Sequence, residues 1–148
     1  MATNASNAQP VVLCVDDDAD TLKFVKVVLS GFGCRVLTAE DGQQALRTLE
    51  QQHVDVLVCD AQMPGMPGTE VIRTVRLIAP HVRSILLSAH CDDVRTVTEA
   101  VNISHVDQLV PKPFDIKEIR RAVQAVLTPL QDAARRACAS TAQQPVAR

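Results

Sequence analysis

The stretch "LVCDAQMPGMPG", Leu57 to Gly68, carries an apolar run to one aspartate and then breaks twice into Pro and Gly. The first part reads as a strand covered on both faces, since every side chain before Asp60 is apolar or a small thiol. The second part reads as a loop shaped by turn residues, with Met63 and Met66 packing within it. Asp60 stands where the strand ends and the loop begins. Taken alone, it has three readings: helix cap, metal ligand or nucleophile.

Working outward, short apolar runs alternate with stretches of helical period. Val11–Val15 is a strand, followed by Leu22, Val25, Val28, Leu29 and Phe32 at helical spacing up to Gly31 and Gly33. Cys34–Thr38 reads as the second strand, Asp41–Gln52 as a helix, Val54–Cys59 as the third strand and Thr69–Ala79 as a helix stopped by Pro80. Arg83–Ser88, a helix over Asp92–Asn102, a weak strand Val106–Val110 and a helix Asp115–Leu127 complete the series. Five βα units in succession predict an α/β fold, a doubly wound five-stranded parallel sheet with helices on both faces. The expected domain is 10–128, with an N-terminal tail over 1–9 and a C-terminal helix extension and flexible tail over 129–148.

Composition narrows the class of function. The chain has 148 residues, 47% of them apolar, and a net charge of -2. That is enough for one core, with no basic footprint for nucleic acid and no polybasic membrane signal. No run is long enough to cross a bilayer, and residues 1–10 do not resemble a signal peptide, so a cytoplasmic location is expected. Cys14, Cys34, Cys59, Cys91 and Cys138 are odd in number and free of CxxC spacing, which makes them packing residues. His53, His81, His90 and His105 lack metal-ligand spacing.

In an open parallel sheet, ligands bind beyond the carboxyl ends of the strands. Those ends carry Asp16, Asp17 and Asp18 after the first strand, Asp60 after the third, Ser88 after the fourth and Lys112 after the fifth. Two carboxylates about 4 Å apart repel by roughly 4 kcal/mol at an effective dielectric near 20. Gathering three calls for a cation. Lys112 supplies one charge, and hard oxygen donors suit Mg²⁺ for the rest. A carboxylate beside Mg²⁺ and an ammonium is placed to attack phosphorus and form an aspartyl phosphate. Asp18 or Asp20 is read instead as assisting the start of the first helix.

These residues carry a resemblance. "VLCVDDD", "VLVCDAQMPGMPG", "ILLSA" and "VPKPF", in this order, resemble the receiver domain of bacterial two-component response regulators from about Val11 to Leu127. The resemblance implies a flavodoxin-like sheet of strand order 2-1-3-4-5 and Asp60 as phosphoacceptor. It implies Mg²⁺ held by Asp16, Asp17, Asp60 and the backbone carbonyl of Gln62, with Ser88 as switch hydroxyl and Lys112 as phosphate-pairing lysine. It also implies a cis Lys112–Pro113 bond. The implied partners are a histidine kinase or histidine phosphotransfer domain and a downstream protein target. Neither nucleic acid nor membrane is expected as a direct partner, and the expected state is a monomer or a weak phosphorylation-dependent dimer. Such a domain is a switch that catalyses only its own phosphorylation and dephosphorylation. The resemblance further implies that Gln62 and His90, two residues after Asp60 and Ser88, flank the approach of hydrolytic water.

Two departures stand out. Leu109 occupies the position where the family often has Tyr or Phe, and the chain has no Tyr at all. Asn102 stands in place of the usual Gly after the fourth helix. A phosphatase of the haloacid dehalogenase type also uses a strand-end Asp, but it needs a second Asp two residues later, where this chain has Gln62. A receiver-like module that never carries phosphate would have lost an acidic residue or the lysine, and none is lost. The tail leaves open a longer natural gene product.

Overall fold

The computed structural model describes residues 9–89 and 106–128. Their order is β1 (Val11–Val15), α1 (Ala19–Gly31), β2 (Arg35–Ala39), α2 (Gly42–Gln51), β3 (Val56–Asp60), α3 (Gly68–Ile78), β4 (Arg83–Ser88) and β5 (Gln108–Pro111). A last helix, α4, has residues 116–128 as its described part. The expected helix Asp92–Asn102, with Asn102, His90 and Cys91, and both expected tails apart from residue 9 lie outside the described residues.

All strand pairs are parallel and the sheet order is β2-β1-β3-β4-β5, as the resemblance implied. Alternation along the strands sorts their side chains into two half-cores. On one face Val12, Cys14, Val56, Val58, Ile85, Leu87 and Val110 pack with Leu22, Val25 and Leu29 of α1 and Ile119, Val123 and Val126 of α4. On the other, Leu13, Val15, Leu57, Cys59 and Leu86 meet Ala45 of α2 and Val71, Ile72 and Val75 of α3. Covering on both sides is why β1, β3 up to Cys59 and the middle of β4, Ile85–Leu87, read as apolar runs. Cys14, Cys34 and Cys59 are buried free thiols within this packing.

Strand starts differ from the apolar pattern. The third strand begins at Val56 rather than Val54, although Val54 is buried against the second half-core. Apolarity reports burial there, not pairing. The second and fifth strands each begin later than expected and run one residue further, to Ala39 and Pro111.

One device recurs at the amino ends of the strands. The Asp55 N–H donates to the Val11 carbonyl at 2.8 Å, while the Val11 N–H donates to Asp55 Oδ2 at 2.9 Å. Asp107 repeats it: its N–H donates to the Ser84 carbonyl at 3.0 Å and its Oδ2 accepts the Ser84 N–H at 2.8 Å. Each carboxylate thus serves the first free amide of the neighbouring strand. Ser84 is fully buried whereas Val11 is half-buried, so losing its acceptor strands a drier amide. Asp107→Ala should cost about 1–3 kcal/mol in urea unfolding, more than Asp55→Ala, with Asn at either position costing less.

Candidate functional site

Register assembles the site. Val15 pairs with Cys59, so Asp16 and Asp60, the next residues of adjacent strands, emerge side by side. Asp60 pairs with Leu87 and Ser88 with Pro111, which brings Ser88 and then Lys112 to the same rim. Lys112 Nζ lies 3.0 Å from Asp16 Oδ2 and 3.2 Å from Asp60 Oδ1. One ammonium therefore bridges two carboxylates that are themselves buried, Asp16 fully and Asp60 to 6% exposure. The Lys112–Pro113 bond is cis.

Asp17 completes the cluster from the solvent side. One carboxylate oxygen from each of Asp16, Asp17 and Asp60 lies within 4.8 Å of the others. Asp18 is engaged elsewhere: its carboxylate accepts the Asp20 N–H at 3.1 Å and the Thr21 hydroxyl at 2.9 Å, capping α1. Its own N–H donates to Asp16 Oδ1 at 2.9 Å, so the helix start also orients the first carboxylate. Ser88 is buried at the end of β4, and its carbonyl accepts the Lys112 N–H at 2.9 Å. The Gln62 N–H stands 3.5 Å from Asp60 Oδ1, and the residue is exposed.

Burial pushes the Asp16 carboxyl above its ordinary value and the Asp60 charge adds to this, against the pull of the Asp18 amide and Lys112. For Lys112, burial works against the charged form, but the hydrogen bond and charge of Asp16, with the Asp60 charge, win and raise it. Burial also raises the Cys14 and Cys59 thiols, which remain protonated packing groups. Three carboxylates against one ammonium leave the site short of positive charge. Convergent hard oxygen donors, one of them facing water, fit a small divalent cation that keeps several waters.

The loop after Asp60 holds a feature that sequence reasoning misassigned. Gly65, with φ +85°, is a turn glycine as expected. Gly68 is not: it opens α3, with Pro67 as the preceding cap residue. A Cβ there would fall on the Asp60 carbonyl oxygen and within 2.8 Å of its carbonyl carbon. The Gly68 N–H donates to the Ala61 carbonyl at 3.0 Å, so α3 starts directly beneath the strand end. Only a residue without a side chain fits.

Residues 12–124 match the response regulator receiver domain family. The chain belongs to that family. It is 30% identical over 122 residues to the transcriptional regulatory protein ZraR of Klebsiella oxytoca, covering 82% of this chain and 27% of ZraR. This chain thus spans about a quarter of that relative's length. Among solved structures it resembles the signal receiver domain of an HD domain-containing protein from Pseudomonas fluorescens Pf-5, with TM-score 0.79, 26% identity and coverage of 85% and 99% of the two chains. It also resembles a structure described as adenylate cyclase from Rhodopirellula baltica, with TM-score 0.78, 34% identity and coverage of 87% and 95%. Receiver domains are signalling domains of two-component systems that interact with histidine kinases and bind Mg²⁺ at an acidic pocket.

The elevated Asp16 carboxyl gives a prediction with a defined sign. Its contribution to stability is fully present below the unfolded carboxylate value, about 3.9, and is lost as pH rises through the higher folded value. In chelator at pH 7, Asp16→Asn should therefore raise the urea midpoint. The gain should vanish in titrations at or below about pH 4.

Proposed function

We propose that the chain is a phosphoryl-accepting switch in a two-component relay, with 10–128 as its receiver unit and Asp60 as acceptor. The observation that carries this reading is the Lys112 ammonium shared between Asp16 and Asp60 at adjoining strand ends. The donor is a phosphohistidine on a histidine kinase or phosphotransfer domain. An Asp60 carboxylate oxygen forms a bond to phosphorus as the P–N bond breaks, and the electron pair returns to the departing imidazole. Lys112, already within reach of Asp60 Oδ1, pairs with the charge that builds on the phosphoryl oxygens. The Ser88 hydroxyl serves the same oxygens from β4. Asp16, Asp17, Asp60 and the Gln62 carbonyl would hold Mg²⁺, which would supply the remaining charge neutralisation.

The output is protein–protein contact. Leu109 is half-buried in β5 and packs against the second half-core, so any readout at that position acts by shifting aliphatic packing rather than by turning a ring. Gln62 is exposed beside Asp60, where it can hydrogen-bond a water approaching the phosphoryl group; its counterpart His90 lies outside the described residues.

Incubation with acetyl phosphate and Mg²⁺ should add one hydroxylamine-sensitive phosphoryl group, absent in Asp60→Asn. Undiminished labelling of that variant contradicts the assignment. Mg²⁺ at a hundredfold excess over Kd should stabilise the fold by about 2.7 kcal/mol, and Asp17→Ala should lose most of this. Gln62→Ala should change the decay rate of the purified phosphoprotein about several-fold while leaving stoichiometric labelling intact.

A further inference from the structure

Gly42, the first residue of α2, is buried, and its backbone does not adopt the left-handed conformation that would demand glycine. Space demands it instead. A Cβ at this position would lie 2.8 Å from Val71 Cγ2, 3.0 Å from Met66 Sδ and 3.1 Å from Met66 Cβ. Contacts below about 3 Å between such atoms cannot persist without a shift of one partner. Both neighbours belong to the segment that follows Asp60: Met66 lies in the loop, and Val71 in the first turns of α3.

The helix start that presses on them is itself fixed. The Asp41 carboxylate accepts the Gln44 N–H at 2.8 Å, and Gln44 Oε1 reaches back past the cap residue to accept the Glu40 N–H at 2.6 Å. The loop is fixed at its ends as well. The Ala61 N–H donates to the Leu87 carbonyl at 2.8 Å, the Gly68 N–H closes on Ala61, and Met63 is buried in the second half-core. Between these anchors Met66 is half-buried, and it rests on Gly42. Gln62 rides on the same loop, with its N–H 3.5 Å from Asp60 Oδ1.

We infer that Gly42 is a positioning residue. Its contact with Met66 and Val71 is the stop that sets where the loop holds Gln62 against Asp60, and thereby the affinity of the carboxylate site for a divalent cation. This rests on the reading above that the site takes Mg²⁺. A methyl group at 42 wedges α2 away from the loop and α3. Displacements of about 1 Å in such constellations carry large functional costs.

The test uses the full chain and its Gly42→Ala, Val71→Ala and doubly substituted variants. Mg²⁺ affinity is read by calorimetry, melting temperature is measured in chelator, and labelling by acetyl phosphate is followed in parallel. Gly42→Ala should weaken Mg²⁺ binding about tenfold. Val71→Ala alone leaves the Met66 side of the stop in place and should weaken binding less than Gly42→Ala does, and the double variant, in which the removed branch makes room for the new methyl, should bind Mg²⁺ more tightly than Gly42→Ala alone. Parental Mg²⁺ affinity in Gly42→Ala, whatever its melting temperature, overturns the inference, and so does a loss that the second substitution does not relieve. Should Gly42→Ala not fold, Met66→Ala removes the thioether from the same contact. A several-fold weaker Mg²⁺ affinity then supports the stop, and an unchanged one overturns it. Failure of the parental chain to bind Mg²⁺ or take up a phosphoryl group would overturn the proposed function itself, and this inference with it.

Discussion

The site depends on one ammonium between two carboxylates. Lys112 reaches Asp16 and Asp60 at 3.0 and 3.2 Å in a setting where neither carboxylate has much access to water. Removing it would leave buried like charges on neighbouring strands, which costs far more than an exposed ion pair yields. The carboxylates in turn hold Lys112 charged despite its own burial. The three groups therefore form a unit whose members are each unfavourable alone. The fold holds them together because the parallel register of β1, β3, β4 and β5 leaves them no other place to emerge.

Beneath this unit the backbone is drawn in closely, and glycine is the means at two points. Gly68 lets α3 begin against the Asp60 carbonyl, and Gly42 lets α2 press on Met66 and Val71. Close packing of this kind transmits displacement instead of absorbing it, since the interior has few voids to take up a shift. The acidic rim is thus coupled sterically to two helices on the face opposite α1 and α4.

Much of this was legible in the sequence, for identifiable reasons. Asp16, Asp17, Asp60, Ser88 and Lys112 announce themselves because each ends an apolar run, and strand ends in a parallel sheet converge on one rim. The family resemblance then supplied the order of the strands. What stayed hidden depends on distances between segments remote in the chain. Nothing in "AEDGQQAL" reveals that Gly42 touches Met66, and Gly68 looked like one more turn residue in a Pro- and Gly-rich loop. Val54 misled because a buried valine and a paired valine share the same apolar signature. Asp55 and Asp107 fall inside the expected third and fifth strands, yet each lies just before its strand, and their amide partners are visible only once Val11 and Ser84 lie alongside.

Those two aspartates have a mechanical consequence. A strand in a parallel sheet can be misplaced by sliding one residue, a step of about 3.3 Å that also turns every side chain to the opposite face. Asp55 ties the start of β3 to β1, and Asp107 ties the start of β5 to β4. These are the strands that deliver Asp60 and Lys112. Clamped at the far end and inextensible along their length, they act as rulers: the spacing of the reactive groups is set about five residues away, on the rim that faces away from the chemistry. Side chains at the working rim can then turn about their own bonds while the strands that carry them stay in register.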